Sequence, residues 1–393
     1  MEQMVKLKAG KEIIIKRQHP WVFSGALEED EQPPAEGARV AVTDARGNRL
    51  ATGHYQEGSI RVRIIHYGSE APAPDFWEQA IARAYATREV LQLANNPQTN
   101  AYRLVHGAGD LLPGLVIDIY NRMAVIQCHS WGMYGEHLEI AAALQKVYGE
   151  RLDTIYLRAR KTLPQRFDEK AFDTFLLGDD GEQQILENGH IFTINAVTGQ
   201  KTGFFLDQRI NRQLLAQYAP GKTVLNTFCY TGGFSIYALK AGATHVASVD
   251  VSSKAMALTE ENVVRNGFPA EQHSSHTEEV LKFFQKQAET FDIVVVDPPA
   301  FAKTMNKRHQ AVQGYKRLNA EAMKTVKPGG LLFTFSCSQV VDRQLFYDTI
   351  VAAGLEAGRS ARVLHQLTQS PDHPVNLFHP EGSYLKGLVV QLD

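Results

Sequence analysis

The sequence has few cysteines and no long apolar run, and each absence excludes a class of protein. Only three of its 393 residues are cysteines, so a disulfide framework is not expected and a reducing cytoplasm is. No apolar run approaches the roughly 18 residues that a membrane span needs, and the N-terminal stretch lacks the features of a signal peptide. We therefore expect a soluble, cytoplasmic protein without membrane contact.

The sequence also lacks an excess of either charge and the common metal-binding motifs. The formal net charge is −2, so a nucleic-acid binder would have to concentrate its positive charge locally. The histidines and cysteines show neither HExxH nor CxxC spacing, and no metal is expected. A chain of 393 residues that is 44% hydrophobic can form two or three domains with cores of their own.

The stretch from Thr223 to Asp250 predicts a βαβ unit with a ligand-binding turn. A short apolar run leads into adjacent glycines, Gly232 and Gly233, and then into a helical pattern and a second apolar run that ends in Asp250. An acidic residue about twenty positions past such a turn suits ribose hydroxyls. The first glycine of a dinucleotide fingerprint is missing, which favours an adenosine with a sulfonium tail over a pyrophosphate. A turn whose glycines serve packing alone is the alternative.

Strands and helices alternate through the rest of the C-terminal half. After Asp250 the pattern predicts, in order, a helix at 253–266, a strand at 291–297, a helix at about 314–326, a strand at 330–336 and a helix at 342–353. Such alternation predicts a doubly wound parallel sheet that binds its ligand at the carboxyl ends of the strands.

The N-terminal half predicts a β-rich unit followed by an α/β unit. Period-two alternation at 39–42 and 60–64 indicates strands, with Arg61 and Arg63 on one face, where they either meet solvent or touch phosphate. A proline-bearing linker is predicted at 68–74 and a helix at 75–93. Two strands joined by a turn at 121–122, a helix at 135–148 and a strand at 154–157 follow. The basic residues between Arg158 and Arg166 favour a solvated surface.

The segment Asp297-Pro298-Pro299-Ala300-Phe301 directly follows an apolar run. Two prolines impose an extended, rigid turn, so Asp297 cannot enter a helix. A fixed carboxylate beside an aromatic face suits a flipped-out base, with Asp297 accepting from an amine or ring nitrogen and Phe301 stacking. A turn that merely ends a strand is the alternative.

A cysteine, Cys337, stands among hydroxyl residues at the end of the next predicted strand. A lone cysteine is usually a small buried hydrophobe, but this one lies at the edge where ligands bind in such a sheet. Since a thiol of pKa about 8.5 is mostly protonated at neutral pH, a nucleophilic role requires a positive or hydrogen-bonding neighbour. Cys128, in an apolar strand, and Cys229, in the glycine turn, are poorer candidates.

Several motifs together resemble one family in order and spacing. QKTGFFLDQR, NTFCYTGGF, SVDVS, DPPAF and TFSCS, with HPWVFSGA near the N-terminus and EGSYLKGL near the C-terminus, are similar to the RlmI-like class I methyltransferases. These use S-adenosylmethionine to form 5-methylcytidine in 23S ribosomal RNA. The resemblance implies a PUA domain at 1–70, a central α/β domain at 75–180 and, at 181–393, a Rossmann-like methyltransferase domain that begins with a hairpin.

The resemblance also implies roles for particular residues. The implied cofactor-binding residues are Asn226, Phe228, Tyr230, Thr231, Gly232, Gly233, Asp250, Glu279, Asp207, Gln208, Arg209 and Asp297. The implied substrate-binding residues are Pro298, Pro299, Phe301, Lys303, Arg61 and Arg63, and Lys307, Arg308, Lys316 and Arg317 are further candidates for phosphate contacts. The implied partner is 23S ribosomal RNA or a large-subunit precursor, without metal or membrane, and a homodimer is left open. Glu279 stands where the family usually has aspartate, and HGAGDLLPG and LRARK depart from the pattern of the central domain.

The implied mechanism answers the weak nucleophilicity of cytosine C5. Attack of the Cys337 sulfur on C6 makes C5 enamine-like, while Asp297 holds N3 and the amine. Three alternatives remain: a guanine N2 or N7 methyltransferase in which Cys337 is structural, a non-catalytic RNA-binding assembly factor, and a small-molecule methyltransferase. The last is disfavoured by the β-rich N-terminal unit.

Overall fold

The computed structural model describes residues 3–393, which form two compact units. The first unit contains the chain up to Asn188, Ile194–Leu206 and Pro371–Gly382; the second contains Gly189–Thr193, Asp207–Ser370 and Ser383–Asp393. Within the described residues, no helix combines the length and apolarity that a membrane span requires. The division into domains at 1–70, 75–180 and 181–393 stays a prediction.

The first unit begins with a five-stranded sheet. Its elements are β1 (Gln3–Lys6), helix α1 (Ile13–Lys16), β2 (Trp21–Phe23), β3 (Arg39–Thr43), β4 (Arg49–Tyr55) and β5 (Ile60–Tyr67). The strand order is β1-β3-β4-β5-β2, in which only β1 and β3 run parallel. Alternating residues such as Val40, Val42, Val62 and Ile64 are buried in one cluster, so the two strands predicted from period-two alternation are confirmed.

A second five-stranded sheet completes the first unit. Its elements are α2 (Phe76–Val90), β6 (Ala101–His106), β7 (Leu115–Tyr120), β8 (Met123–Cys128), α3 (Trp131–Gly135), α4 (His137–Tyr148), β9 (Thr154–Arg158) and β10 (Asp173–Leu177). The order is β10-β9-β8-β7-β6. Ile81 of α2 and Leu144 of α4 are buried in one core with Ile117 and Ile126 of the sheet. The predicted turn at Asn121 has a left-handed backbone, φ 56°, which suits a tight hairpin.

Glu136, between α3 and α4, is a hydrogen-bond centre of the first unit. Its carboxylate accepts from Arg39 at 3.0 and 2.6 Å, from His54 at 2.8 Å and from Trp77 at 2.7 Å. Burial alone would raise the pKa of Glu136, but the hydrogen bonds from His54 and Arg39 outweigh it and lower that pKa from 4.5 to about 2. Glu136 thus joins β3 and β4 to α2 through its charged form.

Replacing Glu136 with glutamine is expected to lower the free energy of unfolding by about 3 kcal/mol at neutral pH, which is the free energy that corresponds to the shift in its pKa. Because the folded-state pKa lies below the unfolded one, this stabilisation is complete above pH 4.5 and is lost as the pH falls towards 2. Urea unfolding of the full chain at pH 7 and pH 3.5 measures the difference. The exposed Glu139 of α4 provides the control, since its change to glutamine removes one charge without those partners. Equal midpoints for the two variants would contradict the prediction.

The remaining elements include a hairpin of β11 (Glu182–Glu187) and β12 (His190–Asn195) and the main sheet of the second unit. They are α5 (Arg209–Tyr218), β13 (Thr223–Thr227), α6 (Gly233–Lys240), β14 (His245–Asp250), α7 (Ser253–Arg265), β15 (His273–Thr277), α8 (Val280–Lys286), β16 (Phe291–Val296), α9 (Arg308–Thr325), β17 (Val326–Ser336), α10 (Arg343–Ala357), β18 (Ala361–Leu367) and β19 (Lys386–Leu392).

The sheet of the second unit has seven strands in the order β15-β14-β13-β16-β17-β19-β18. All neighbours run parallel except β19, which is antiparallel to both β17 and β18. The order reverses between β13 and β16, and ligands of doubly wound sheets bind beyond the carboxyl ends of the strands at such a point. The predicted α/β fold class is confirmed.

Candidate active site

Three residues singled out in the sequence follow neighbouring strands at one edge of the sheet. Val249 pairs with Thr227, and Thr227 pairs with Val296, so Asp250 and Asp297 end their strands at the same level. Val296 pairs with Thr334. Cys337 lies three residues after Thr334 and directly follows the end of β17. The register therefore brings the two carboxylates and the thiol to the carboxyl edge of the sheet, on either side of the turn after β13.

That turn has an unusual backbone. Phe228, Tyr230 and Gly232 have left-handed φ angles of 55°, 49° and 78°. A Cβ on Gly232 would lie 2.7 Å from the side chain of Thr259, so glycine is required both for its φ and for the space. Non-glycine residues held in this region cost about 1–3 kcal/mol each and are concentrated at ligand sites. The left-handed backbone of this turn therefore marks it as a candidate ligand site.

Asp250 fixes the turn and can still bind a ligand. Its carboxylate accepts from the backbone N–H of Tyr230 at 3.1 Å and of Ser252 at 2.9 Å, and Thr259 of α7 donates to the Tyr230 carbonyl at 2.8 Å. Each carboxylate oxygen can accept more than one hydrogen bond, and Asp250 is only half-buried. A strained turn beside a held carboxylate fits the ribose of S-adenosylmethionine.

Asn226 is buried near the end of β13, and its predicted contact with the cofactor stays a prediction. Its side chain is buried and donates to Ser235 at 2.8 Å, Ser235 contacts Ser248 at 2.7 Å, and Ser248 contacts His273 at 2.8 Å. Burial lowers the pKa of His273 to about 4, so its ring is neutral at physiological pH. Asn226 therefore takes part in a buried hydrogen-bonded chain that connects β13, α6, β14 and β15.

The predicted residues Asp207, Gln208 and Arg209 are buried at the start of α5. Gln208 donates to Asp297 at 2.9 Å, and Tyr384 donates to Asp207 at 2.6 Å. Gln208 therefore orients the Asp297 carboxylate. Tyr384, which the sequence motif EGSYLKGL contains but to which no role was given, holds the neighbouring carboxylate in place.

The loop after Asp297 is tied to the loop after Cys337. The hydroxyl of Ser338 donates to the carbonyl of Ala302 at 2.5 Å, which joins the two segments directly. Pro298 is buried and Pro299 exposed. The ring of Phe301 lies 4.5 Å from that of Tyr315 between centroids and is 37% exposed, so a base could stack only on its remaining surface.

The thiols differ in their surroundings. Burial raises the pKa of Cys128 to about 12 and raises that of Cys229 well above its ordinary value, so both stay protonated and inert. Cys337 is half-buried. A residue the sequence reasoning missed lies beside it: Lys386 of β19 is directly opposite Ser336 in the sheet, and its ammonium has an electrostatic interaction with Cys337.

Glu279 belongs to the same carboxyl edge, since Thr277 pairs with Asp250, whereas the predicted arginines lie in the first unit. Glu279 follows β15 and is exposed, with Lys282 at 3.9 Å. In the first unit, Arg61 donates to the Tyr55 hydroxyl at 3.2 Å, and burial lowers the pKa of Arg63. The carboxyl edge of the sheet therefore brings together the two carboxylates and the thiol, while a role for the arginine pair stays a separate prediction.

The basic run at 158–166 is more engaged than a solvated surface requires. Arg158 donates to the carbonyls of Ala196 and Gly199, both at 2.8 Å. Arg166 pairs with Glu36 at 2.7 Å, whereas Arg160 and Lys161 are exposed. Sequence alone shows a charge run but not the carbonyl groups that its members meet.

Comparison with known proteins shows where this architecture occurs. A family model described as S-adenosylmethionine-dependent methyltransferase matches residues 158–382, and one for a PUA-like domain matches residues 5–67. A protein named ribosomal RNA large subunit methyltransferase I from Tolumonas auensis is 37% identical over 405 residues, which cover 100% of both chains. A relative of the same name from Photobacterium profundum is 37% identical over 395 residues and 98% of each chain.

A solved structure has the same fold over the whole chain. The protein, from Streptococcus mutans and assigned as a SAM-dependent methyltransferase, superposes with a TM-score of 0.83 over 99% of this chain and 100% of its own, at 23% identity. A second chain, assigned as a methyltransferase and solved with SAH, also gives a TM-score of 0.83 at 23% identity and full coverage. The predicted PUA-like and Rossmann-like fold and the cofactor S-adenosylmethionine are confirmed. The chain belongs to the family of S-adenosylmethionine-dependent methyltransferases with a PUA-like domain that includes proteins named ribosomal RNA large subunit methyltransferase I.

Proposed function

We propose that the protein methylates C5 of a cytidine in large-subunit ribosomal RNA, with Cys337 as the nucleophile. One observation carries the proposal: of the three cysteines, Cys337 is the one that is not fully buried, and it follows β17 at the sheet edge where Asp297 ends β16. A guanine methyltransferase needs no thiol at that place. The full-length relatives named for the large-subunit RNA support the substrate class.

The chemistry follows from the weakness of cytosine C5 as a nucleophile. The Cys337 thiolate adds to C6, which gives C5 the electron density of an enamine. Bound S-adenosylmethionine supplies a methyl group that is activated by its sulfonium. C5 accepts that methyl group, and S-adenosylhomocysteine is left as the second product. The C5 proton leaves to solvent, and the C6–S bond breaks to restore the ring and the thiolate. No redox partner is needed, because electrons and atoms balance within these steps.

Asp297 acts on the other side of the ring. Gln208 holds its carboxylate at 2.9 Å, and the prolines after it prevent the segment from refolding into a helix. A proton shared between the Asp297 carboxyl group and N3 can compensate the negative charge that develops on the ring, while the carboxyl group also accepts from the cytosine amine. Donors and acceptors that are oriented before the reaction lower the barrier without reorganisation.

The segment after the proline loop offers phosphate contacts. Lys303, Lys307 and Arg308 are exposed, whereas Lys316 pairs with Glu356 at 2.7 Å. We therefore propose that Lys303, Lys307 and Arg308, and not Lys316, contact the phosphates of the nucleotides beside the target. Lysine and arginine contacts of this kind add affinity that falls with salt and do not depend on sequence.

The experiment is the identification of the product. The protein is incubated with methyl-labelled S-adenosylmethionine and undermodified 23S ribosomal RNA, and the digested nucleosides are separated by mass spectrometry. We expect the label in 5-methylcytidine. Label in a methylguanosine would overturn the proposal in favour of the guanine alternative, and RNA binding with no affinity for S-adenosylmethionine in calorimetry would favour a non-catalytic assembly factor.

A further inference from the structure

Lys386 is a buried ammonium at the end of the sheet where Cys337 lies. Only 5% of the residue is exposed, and it occupies the first position of β19, directly opposite Ser336 of β17. Its Nζ donates to the carbonyl of Ser338 at 2.6 Å and to that of Val341 at 2.7 Å. The lysine thus lies under the loop that begins with Cys337 and is fixed by two of its three N–H groups.

A buried ammonium is costly unless an anion is close. Removing a charge from water costs several kcal/mol, and neutral carbonyl groups compensate only in part. The charged and titratable groups that act on Lys386 are Cys337, Asp342 and Arg343. Cys337 and Asp342 favour the ammonium and Arg343 opposes it. Cys337 lies between Ser336, which is opposite Lys386 in the sheet, and Ser338, whose carbonyl accepts from the Lys386 ammonium, so we take its thiolate as the anion that balances the ammonium.

We propose that Lys386 is the positioning residue that holds Cys337 in its thiolate form and fixes the loop that carries it. The inference rests on the proposed function, in which the thiolate attacks C6. Each form stabilises the other, because an ammonium favours a thiolate and a thiolate favours an ammonium. The mechanism requires a positive neighbour, and this lysine lies forty-nine residues after the cysteine in the sequence.

The protonation state of the lysine fits this role. Burial lowers the pKa of Lys386 to about 8, an effect that Cys337 opposes. Around pH 7 most of the lysine is therefore still charged, and forming the thiolate raises the charged fraction further. Tyr315, which interacts with both Cys337 and Asp297, does not supply a competing charge, since burial raises its pKa to about 12.

The test measures the thiol and not the methylation. The full-length protein is treated with iodoacetamide between pH 5 and pH 10, and the alkylation rate of the peptide that contains Cys337 is followed by mass spectrometry. In Lys386→Met we expect the midpoint of the rate profile to rise by about one pH unit or more, the usual effect of removing an opposite charge at short range. Lys386→Arg, which keeps the charge, is expected to stay within about half a unit of the wild type.

Loop mobility is separated from charge by a third variant. Ser338→Ala removes the hydrogen bond to Ala302 and loosens the loop while the lysine remains, so the midpoint is expected to stay while the rate at high pH rises. A midpoint in Lys386→Met equal to that of the wild type would overturn the inference, as would an equal shift in Ser338→Ala. These outcomes are independent of the product: if Cys337→Ala still forms 5-methylcytidine, the covalent mechanism fails although the lysine effect on the thiol can stand.

Discussion

Cys337→Ala is expected to lower the rate of methyl transfer to 23S ribosomal RNA at least about a thousandfold, the scale on which removal of a covalent nucleophile acts. The side chain is half-buried and does not belong to the apolar cluster that contains Val294 and Leu332, so its loss is expected to leave folding intact. The measurement is single-turnover transfer from labelled S-adenosylmethionine, with cofactor affinity followed by calorimetry. Affinity is expected to change less than threefold, because the thiol acts on the base.

The matched control is Cys128→Ala, which removes a thiol that is fully buried in the first unit and should leave the rate within about twofold. A second readout uses RNA with 5-fluorocytidine at the target. Because fluorine cannot leave as a proton does, the adduct between sulfur and C6 persists and is detected as a slower band on a denaturing gel. Wild type is expected to give that band and Cys337→Ala none. A variant that retains the wild-type rate would return Cys337 to a structural role.

Asp297→Asn is expected to lower the same single-turnover rate by about a hundredfold to a thousandfold, the cost of removing one oriented electrostatic contact to a reacting group. Asparagine can still accept from Gln208, so the side chain keeps its place but cannot share a proton with N3. The effect should therefore fall on the rate at saturating RNA and not on RNA affinity. Filter binding and single-turnover kinetics separate the two.

The other end of the same strand supplies the control. Asp292 of β16 is held by Thr223 and by Lys327 at 3.0 Å, at the edge of the sheet away from the proposed site. Asp292→Asn makes the identical chemical change, which should reduce stability and leave the saturated rate within about twofold. If both variants lose activity equally, the loss at Asp297 is a folding effect and the carboxylate has no role in the reaction.

The parallel core of the second unit could be predicted because its strands are recognisable from the sequence alone. β13, β14 and β16 are covered on both faces and read as short continuous apolar runs. β15, with the polar sequence HSSHT, was missed because it is an edge strand whose residues are only partly covered. Helix α9 begins at Arg308, six residues before the predicted start, because its first turns are polar and lack an apolar stripe.

The other differences come from pairing between distant segments. β17 starts at Val326, four residues before the predicted start at 330. Val326 pairs with Phe291, and the pairing resumes between Leu331 and Ile293 after a shift in register. β18 and β19 were not predicted, since β19 is placed by its pairing with the distant β17 and β18 by its pairing with β19. Local periodicity does not contain that information.

The site was predictable to the same extent as the strands that carry it. Asp250, Asp297 and Cys337 were found because each follows an apolar run, and parallel strands end at one edge. Lys386 and Tyr384 were not found, because they precede or begin an antiparallel strand that enters the sheet from the opposite direction. The sequence spacing of a residue at the start of an antiparallel strand does not show that it lies at the carboxyl edge of the parallel strands.

The late position of β19 also bears on synthesis. While the chain is being made, β17 has no partner on one side until residues 386–392 have emerged, since β19 lies between β17 and β18. An unpaired apolar strand is a site of misassembly, so the interval between α10 and β19 is the period in which a nascent chain most needs a chaperone. Cys337, the proposed nucleophile, is translated well before Lys386, so a chain that stalls in that interval has the thiol without the lysine proposed to stabilise its thiolate.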